Sequence, residues 1–200
     1  MFTSTKPFSL KIFFICQKIH AMIKSAHTYL AVEEMPLKKV KTNALRLLSE
    51  KGVAYTMHTY SLKIPDLTPE MLAKEIQRPV HLIYKTLVTK GHSGAHYVFC
   101  LPLQKELDLK KAAEACSEKS VSLVDLKELP KLTGYERGGV SPMAMKKPFR
   151  TFLDKGAENL PTIILSAGKR GYQMEVSPRE LLPILPMTFA DLLASTQGIF

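Results

Sequence analysis

Two runs of β-forming residues, Leu82–Lys90 and His96–Leu103, are separated by the turn segment Gly91-His-Ser-Gly94. Apolar and β-branched residues bounded by glycines predict two antiparallel strands joined as a hairpin. A second such pair follows, with strands predicted over Thr162–Leu165 and Tyr172–Val176 around Ser166-Ala-Gly-Lys-Arg-Gly171. Hairpins with short helices between them, and no regular βαβ alternation, predict an α+β fold. Its sheet should be mixed and largely antiparallel, curled into a barrel-like form.

The helix signals are local and specific. Val40, Ala44, Leu47 and Leu48 recur at helical spacing, and Gly52 supplies a stop. Val53–Tyr60 alternates as a strand. Thr68 then reads as an N-cap with Pro69 at the first helical position, and this helix should end before Pro79. Asp108 is predicted to cap a helix through Cys116, followed by a short strand over Val121–Val124. Asp125-Leu-Lys-Glu128 has capping-box spacing, and so does Ser177-Pro-Arg-Glu180. A strand is expected near Arg150–Leu153, and Phe189–Leu193 should close the domain.

Size and charge narrow the function classes. The chain has 200 residues and a net charge of +10. Four lysines and no acid fall in residues 1–32, leaving 24 basic against 18 acidic side chains in the rest. That balance favours a polyanionic partner such as nucleic acid, though many enzymes are equally basic. Three widely spaced cysteines, Cys16, Cys100 and Cys116, offer no zinc pattern and fit a reducing, cytoplasmic compartment. Cys100 lies in an apolar run and reads as buried and structural. Ile12–Cys16 resembles a signal-peptide core, but Gln17, Lys18 and His20 interrupt it, and it is too short to span a membrane. Residues 1–35 are expected to be a poorly ordered extension, or to precede a natural start at Met35. Residues 36–200 are expected to form a single domain.

Three stretches carry candidate chemistry. Gly134–Lys147 has neither helical nor strand periodicity, but holds the Gly138-Gly139 pair, the Ser141-Pro142 step and two terminal lysines. Without a Cβ, Gly138 and Gly139 admit a ligand close to their N–H groups, as an anionic or ester-bearing group requires. Lys85 interrupts the apolar face Ile83–Lys85–Leu87. A buried ammonium needs a partner, whereas a lysine near a strand end can pack its stem and keep its head in water; both readings stand. Lys169 and Arg170 sit at the tip of the second hairpin, where they either complete a turn or contact phosphate. His58 and His81 read as structural. No Ser-His-Asp set, Walker loop, dinucleotide fingerprint, metal cluster or carboxylate pair is recognisable.

Five ordered blocks carry a resemblance: His58-Thr-Tyr60, Tyr84-Lys-Thr-Leu-Val88, Leu109-Lys-Lys-Ala-Ala113, Thr133–Pro142 with Lys146-Lys147, and Leu165–Gly171. Between about Lys41 and Ala194 the chain resembles the YbaK/EbsC family of aminoacyl-tRNA deacylases, related to the editing domain of bacterial prolyl-tRNA synthetases. The resemblance implies a cytoplasmic proofreading enzyme, with no cofactor, metal or membrane, that clears Cys-tRNA(Pro). It also implies that the substrate's own thiol attacks its ester and releases a thiolactone, so a lyase label would fit as well as a hydrolase one. Lys85 would be the essential lysine. Tyr60, Thr86, Gly138, Gly139, Ser141, Pro142 and Ser166 would shape the substrate pocket. Family members often carry Gly at Ala144 and an acid at Gln173, so amino-acid preference is open. An Ala-tRNA(Pro) deacylase, or a non-catalytic module binding tRNA or prolyl-tRNA synthetase, are the alternatives.

Overall fold

The computed structural model describes residues 40–194. The expected extension over 1–35 lies outside the described residues.

Local sequence chemistry sets most element boundaries. Helix α1, Asn43–Glu50, starts where the Thr42 hydroxyl accepts from the Leu45 amide at 3.2 Å, and it buries Ala44, Leu45 and Leu48. Strand β1 is Tyr55–Thr59. Helix α2, Pro69–Glu75, has Thr68 as its cap, accepting from the Met71 amide, with Pro69 in the first turn. A 3-10 turn, Val80–Leu82, leads into β2, Tyr84–Gly91, and β3, His96–Pro102. Asp108 caps α3, Leu109–Cys116, by accepting from the amides of Lys110 and Lys111 at 2.9 and 3.1 Å.

After β4, Val121–Leu123, the helix expected from Asp125 does not form there. Asp125 instead accepts from the Lys127 amide in a turn, and α4 spans Leu129–Thr133. Pro130 explains the shift. A helix begun at Asp125 would bury a residue without an N–H in its interior, whereas the first turn tolerates it. The remaining elements are β5 Arg150–Asp154, β6 Ile163–Ser166, β7 Tyr172–Val176, α5 Pro178–Leu181 and β8 Met187–Ala190. Ser177 precedes α5, but its hydroxyl makes no cap; the Glu180 amide bonds to its carbonyl instead.

The strands form two sheets. One is antiparallel, in the order β1-β7-β6; the other is mixed, in the order β4-β2-β3-β5-β8, with parallel β3–β5 and β5–β8 pairs. The α+β class with a mixed sheet is as expected. The sheets do not close into a barrel: a single parallel bridge, Ile83–Ile164, connects them. Strand β4 covers only Thr89–Gly91 of β2, so among the described residues the stretch from Tyr84 to Val88 has no partner strand on that side. A seam is left between β2 and β6.

Strand β3 is covered on both faces. Val98 and Cys100 join one core with Leu153, Leu165 and Met174, while Tyr97 and Phe99 join another with Phe152 and α3. The rings of Phe99 and Phe152 stack at 5.2 Å. Burying each such side chain contributes roughly 2–3 kcal/mol. A third cluster, of Leu72, Ile76, Ile83 and Ile164, holds α2 across one end of the seam. Among the described residues, no helix is long and apolar enough to cross a membrane.

Candidate active site

The seam opens into a cavity of about 410 Å³. Its walls come from separate chain segments: the Tyr84–Val88 edge of β2, Leu67 before α2 and Leu72 within it, Tyr60 after β1, residues between Leu123 at the end of β4 and Leu129 at the start of α4, the glycine loop, and Ser166 with Gln173. The phase of β2 follows from its hydrogen bonds. Gly91 donates to the Ala95 carbonyl and Leu103 to the Ile83 carbonyl, so odd-numbered residues pair with β3. The Val88 carbonyl accepts from Val124 on the opposite side. Alternation then turns the amide and carbonyl of Thr86 toward the seam.

Lys85 stands on this strand with its side chain 21% exposed. Its Nζ lies 3.5 Å from the Glu106 Oε1, a carboxylate that is 85% exposed. Such a contact supplies little energy and leaves most of the ammonium's donors free. Both readings of the lysine therefore hold in part: the stem packs, and the head meets only a loosely held, solvated partner.

Next to it, the Thr86 hydroxyl lies 3.7 Å from the Cys100 Sγ. Burial pushes the Cys100 thiol up to about 12, and Cys100 does not reach the cavity. That thiol is structural and stays protonated. Tyr84, on the same strand, is likewise pushed up to about 12 by burial, with the Asp154 carboxylate adding to the effect.

The glycine loop divides its residues between two tasks. Gly138, at φ +78, lines the cavity, and the Arg170 side chain lies across it. Gly139 faces the second hairpin: a Cβ there would stand 3.2 Å from the Arg170 amide nitrogen and 3.3 Å from the Lys169 Cα. Ser141 and Pro142 are buried and do not line the cavity. The Ser141 hydroxyl accepts from the Met143 amide at 3.4 Å and so shapes the loop from within. Tyr135 buttresses the same loop, donating to the Met143 carbonyl at 2.7 Å. Its ring also occupies the space where a side chain on Gly168 would go. Burial pushes the Tyr135 hydroxyl up to about 12, so it remains a donor. Ala144 takes φ +51, a backbone state that glycine adopts with less strain.

The structure thus gathers Tyr60, Lys85, Thr86, Gly138 and Ser166 around one cavity. Ser166, 9% exposed, also accepts from the Gly168 amide at 3.2 Å, which fixes its own hairpin. Sequence reasoning did not single out Arg137, although it immediately precedes Gly138 at the cavity wall. It also missed Leu123 and Leu126, lining residues that are 58% and 52% exposed; two apolar side chains flanking a capping signal were the only clue. Gln173, noted only as a departure from the family pattern, lines the cavity at 7% exposure, and among the described residues its Oε1 has no hydrogen-bond partner. Among the described lining residues there is no His, Cys, Asp or Glu.

Comparison with known proteins places this arrangement. Residues 65–184 match the family model of the aminoacyl-tRNA editing domain. The chain is 40% identical over 152 residues to EbsC of Enterococcus faecalis, whose name proposes a Cys-tRNA(Pro)/Cys-tRNA(Cys) deacylase; the match covers 76% of this chain and 93% of that protein. A crystal structure described as a proposed trans-editing enzyme for prolyl tRNA synthetase superposes with a TM-score of 0.66 at 25% identity, covering 78% of this chain and 99% of that one. The hypothetical protein APE2540 shares the fold, with a TM-score of 0.68 at 24% identity over 76% of this chain and all of its own. The chain belongs to the aminoacyl-tRNA editing domain family.

Proposed function

We propose that this protein is a deacylase that proofreads translation in trans, cleaving the ester of mischarged Cys-tRNA(Pro) in the cytoplasm. Family membership and the relatives named for that activity support the enzyme class. The observation that carries the mechanism is the composition of the cavity wall: one lysine, one arginine, one glutamine and several hydroxyls, with no histidine, carboxylate or thiol among the described lining residues. Such a wall suits positioning and charge stabilisation, which supports a reading in which the attacking atom comes from the substrate. A volume of about 410 Å³ suits a nucleoside-sized ester, with the rest of the tRNA outside.

In this reading the cysteine side-chain sulfur attacks its own ester carbonyl. The new C–S bond closes a four-membered thiolactone, and the C–O bond to the ribose breaks. The thiol's proton ends on the departing ribose oxygen through solvent, and water later opens the thiolactone to free cysteine. Lys85 stabilises the negative charge that develops on the carbonyl oxygen, and the Gly138 backbone admits that end of the ester. Holding the reacting ends together supplies much of the rate, because the first step is intramolecular. Thr86, Tyr60 and Ser166 bound the same space, while Gly139, Ser141 and Pro142 brace the loop from behind. Prolyl-tRNA synthetase is the source of the mischarged tRNA and a candidate partner.

The test is a panel of charged tRNAs. Cys-tRNA(Pro) should be deacylated at least tenfold faster than Ala-tRNA(Pro), and S-methylation of the cysteine should abolish the reaction. Equal rates on the cysteinyl and alanyl forms would overturn the thiol route. Binding without turnover on every member would overturn the enzyme assignment.

A further inference from the structure

We infer that Arg137 and Arg170, with Lys169 beside them, form a phosphate-binding rim at the cavity mouth, and that its ligand is the phosphodiester joining the terminal adenosine to the preceding nucleotide of a single-stranded RNA end. The inference rests on the deacylase reading above and concerns residues to which that reading gives no role. Arg137 is exposed and lines the cavity wall next to Gly138. Arg170 approaches from the other hairpin, its Cγ, Cδ and Nε 3.5–3.6 Å from where a Cβ on Gly138 would stand. Gly139 lets the two loops meet backbone to backbone, which brings the cationic side chains of both to one rim.

Their lack of partners is the second observation. Arg46, Arg78, Lys85, Lys111 and Lys155 each have a carboxylate within 4 Å, while most other described lysines and arginines have none; what sets this group apart is that its free cations adjoin the cavity. Arg137, Lys169 and Arg170 make no ion pair among the described residues, although the exposed Glu136 precedes Arg137 in sequence. Lys169 instead rests its ammonium 5.6 Å from the Tyr172 ring centroid. Exposed guanidinium groups without carboxylates suit phosphate, which they grip bidentately. Substrate chemistry supplies the position. With the ester on the 3′ side of the ribose and held near Lys85, the phosphodiester leaves from C5′ on the far side of the sugar and emerges at the mouth.

The experiment compares cysteinyl-adenosine, which lacks a phosphodiester, with a cysteinylated trinucleotide ending in the same adenosine. The wild-type protein should prefer the trinucleotide by at least tenfold in kcat/KM. Arg170→Ala should remove most of that preference through KM and lower the salt slope on the trinucleotide by about 0.7. Arg170→Lys should keep the salt slope and recover part of the affinity. A preference and slope that survive Arg170→Ala and the Lys169→Ala/Arg170→Ala double variant would overturn the rim, and so would equal losses on both substrates. Failure of the wild-type protein on both substrates and on Cys-tRNA(Pro) would instead overturn the deacylase reading on which the rim depends, whereas failure on both with turnover of Cys-tRNA(Pro) would overturn the rim.

Discussion

Lys85 and Glu175 are both ionised side chains set into sheet faces, and their surroundings differ sharply. Glu175 on β7 accepts from His58 Nε2 and Arg78 Nε at 2.8 Å each, and from the Thr162 hydroxyl at 2.8 Å. Burial raises its pKa, but the hydrogen bonds from Arg78, Thr162 and His58 outweigh that effect and hold the carboxyl down at about 2. Lys85 has one contact, at 3.5 Å, to a solvated carboxylate. The acid is fully satisfied and ties α2 and the following turn to the antiparallel sheet, which gives it an architectural role. The lysine keeps unused donors facing a cavity. An incompletely paired charge beside a cavity has capacity left for a ligand, whereas a completely paired one has none.

The largest effect that would break this contrast is catalytic. Lys85→Ala should lower kcat/KM for Cys-tRNA(Pro) by roughly 100-fold or more, as loss of a charge-stabilising donor does. Its urea midpoint should hardly move, because the partner carboxylate is exposed. Retained activity, or a large loss of stability, would erase the distinction between the two charges.

The converse variant comes next. Glu175→Ala should cost roughly 2–3 kcal/mol in chemical denaturation, because it strands Arg78 and His58. Turnover per folded molecule should change less than threefold. The same carboxyl predicts an acid limb. Its folded pKa is depressed to about 2 from the ordinary glutamate value of 4.5, so its contribution is fully present above the unfolded value and is lost as pH falls from 4.5 toward 2. Unfolding followed across that window should be less pH-dependent in Glu175→Gln than in the wild type; identical slopes would deny the carboxylate its role.

The smallest effect sharpens the contrast within one strand. Gln173 lies two residues from Glu175, yet its Oε1 is buried without a partner among the described residues. Gln173→Met should leave stability unchanged or raise it by up to about 1 kcal/mol, because an unsatisfied acceptor is removed. Its KM for the ester should rise a few-fold. A destabilised Gln173→Met would mean that the amide serves the fold, as Glu175 does.

Local chemistry was legible in the sequence wherever a few neighbouring residues determine the outcome. The Thr68 and Asp108 caps and the Gly91–Gly94 turn fall where the residue types demand. The start of α4 was misread because the capping-box spacing at Asp125 competes with Pro130, and the proline prevails. Barrel closure was not legible, because it depends on how far β4 extends along β2. In the site, Lys85 and Gly138 line one cavity, whereas Gly139 turns to the hairpin.

The sequence by itself determined the α+β class, the hairpins and the caps at Thr68 and Asp108, because these follow from backbone preference and periodicity over a few residues. Only the tertiary structure decided which of the candidate site residues share the cavity. Adjacent glycines carry the same local signal, and a lysine reads alike whether paired or not. Contacts between segments far apart in sequence separate them: Lys169 and Arg170 against Gly139, Glu106 beside Lys85, Arg78 and His58 around Glu175.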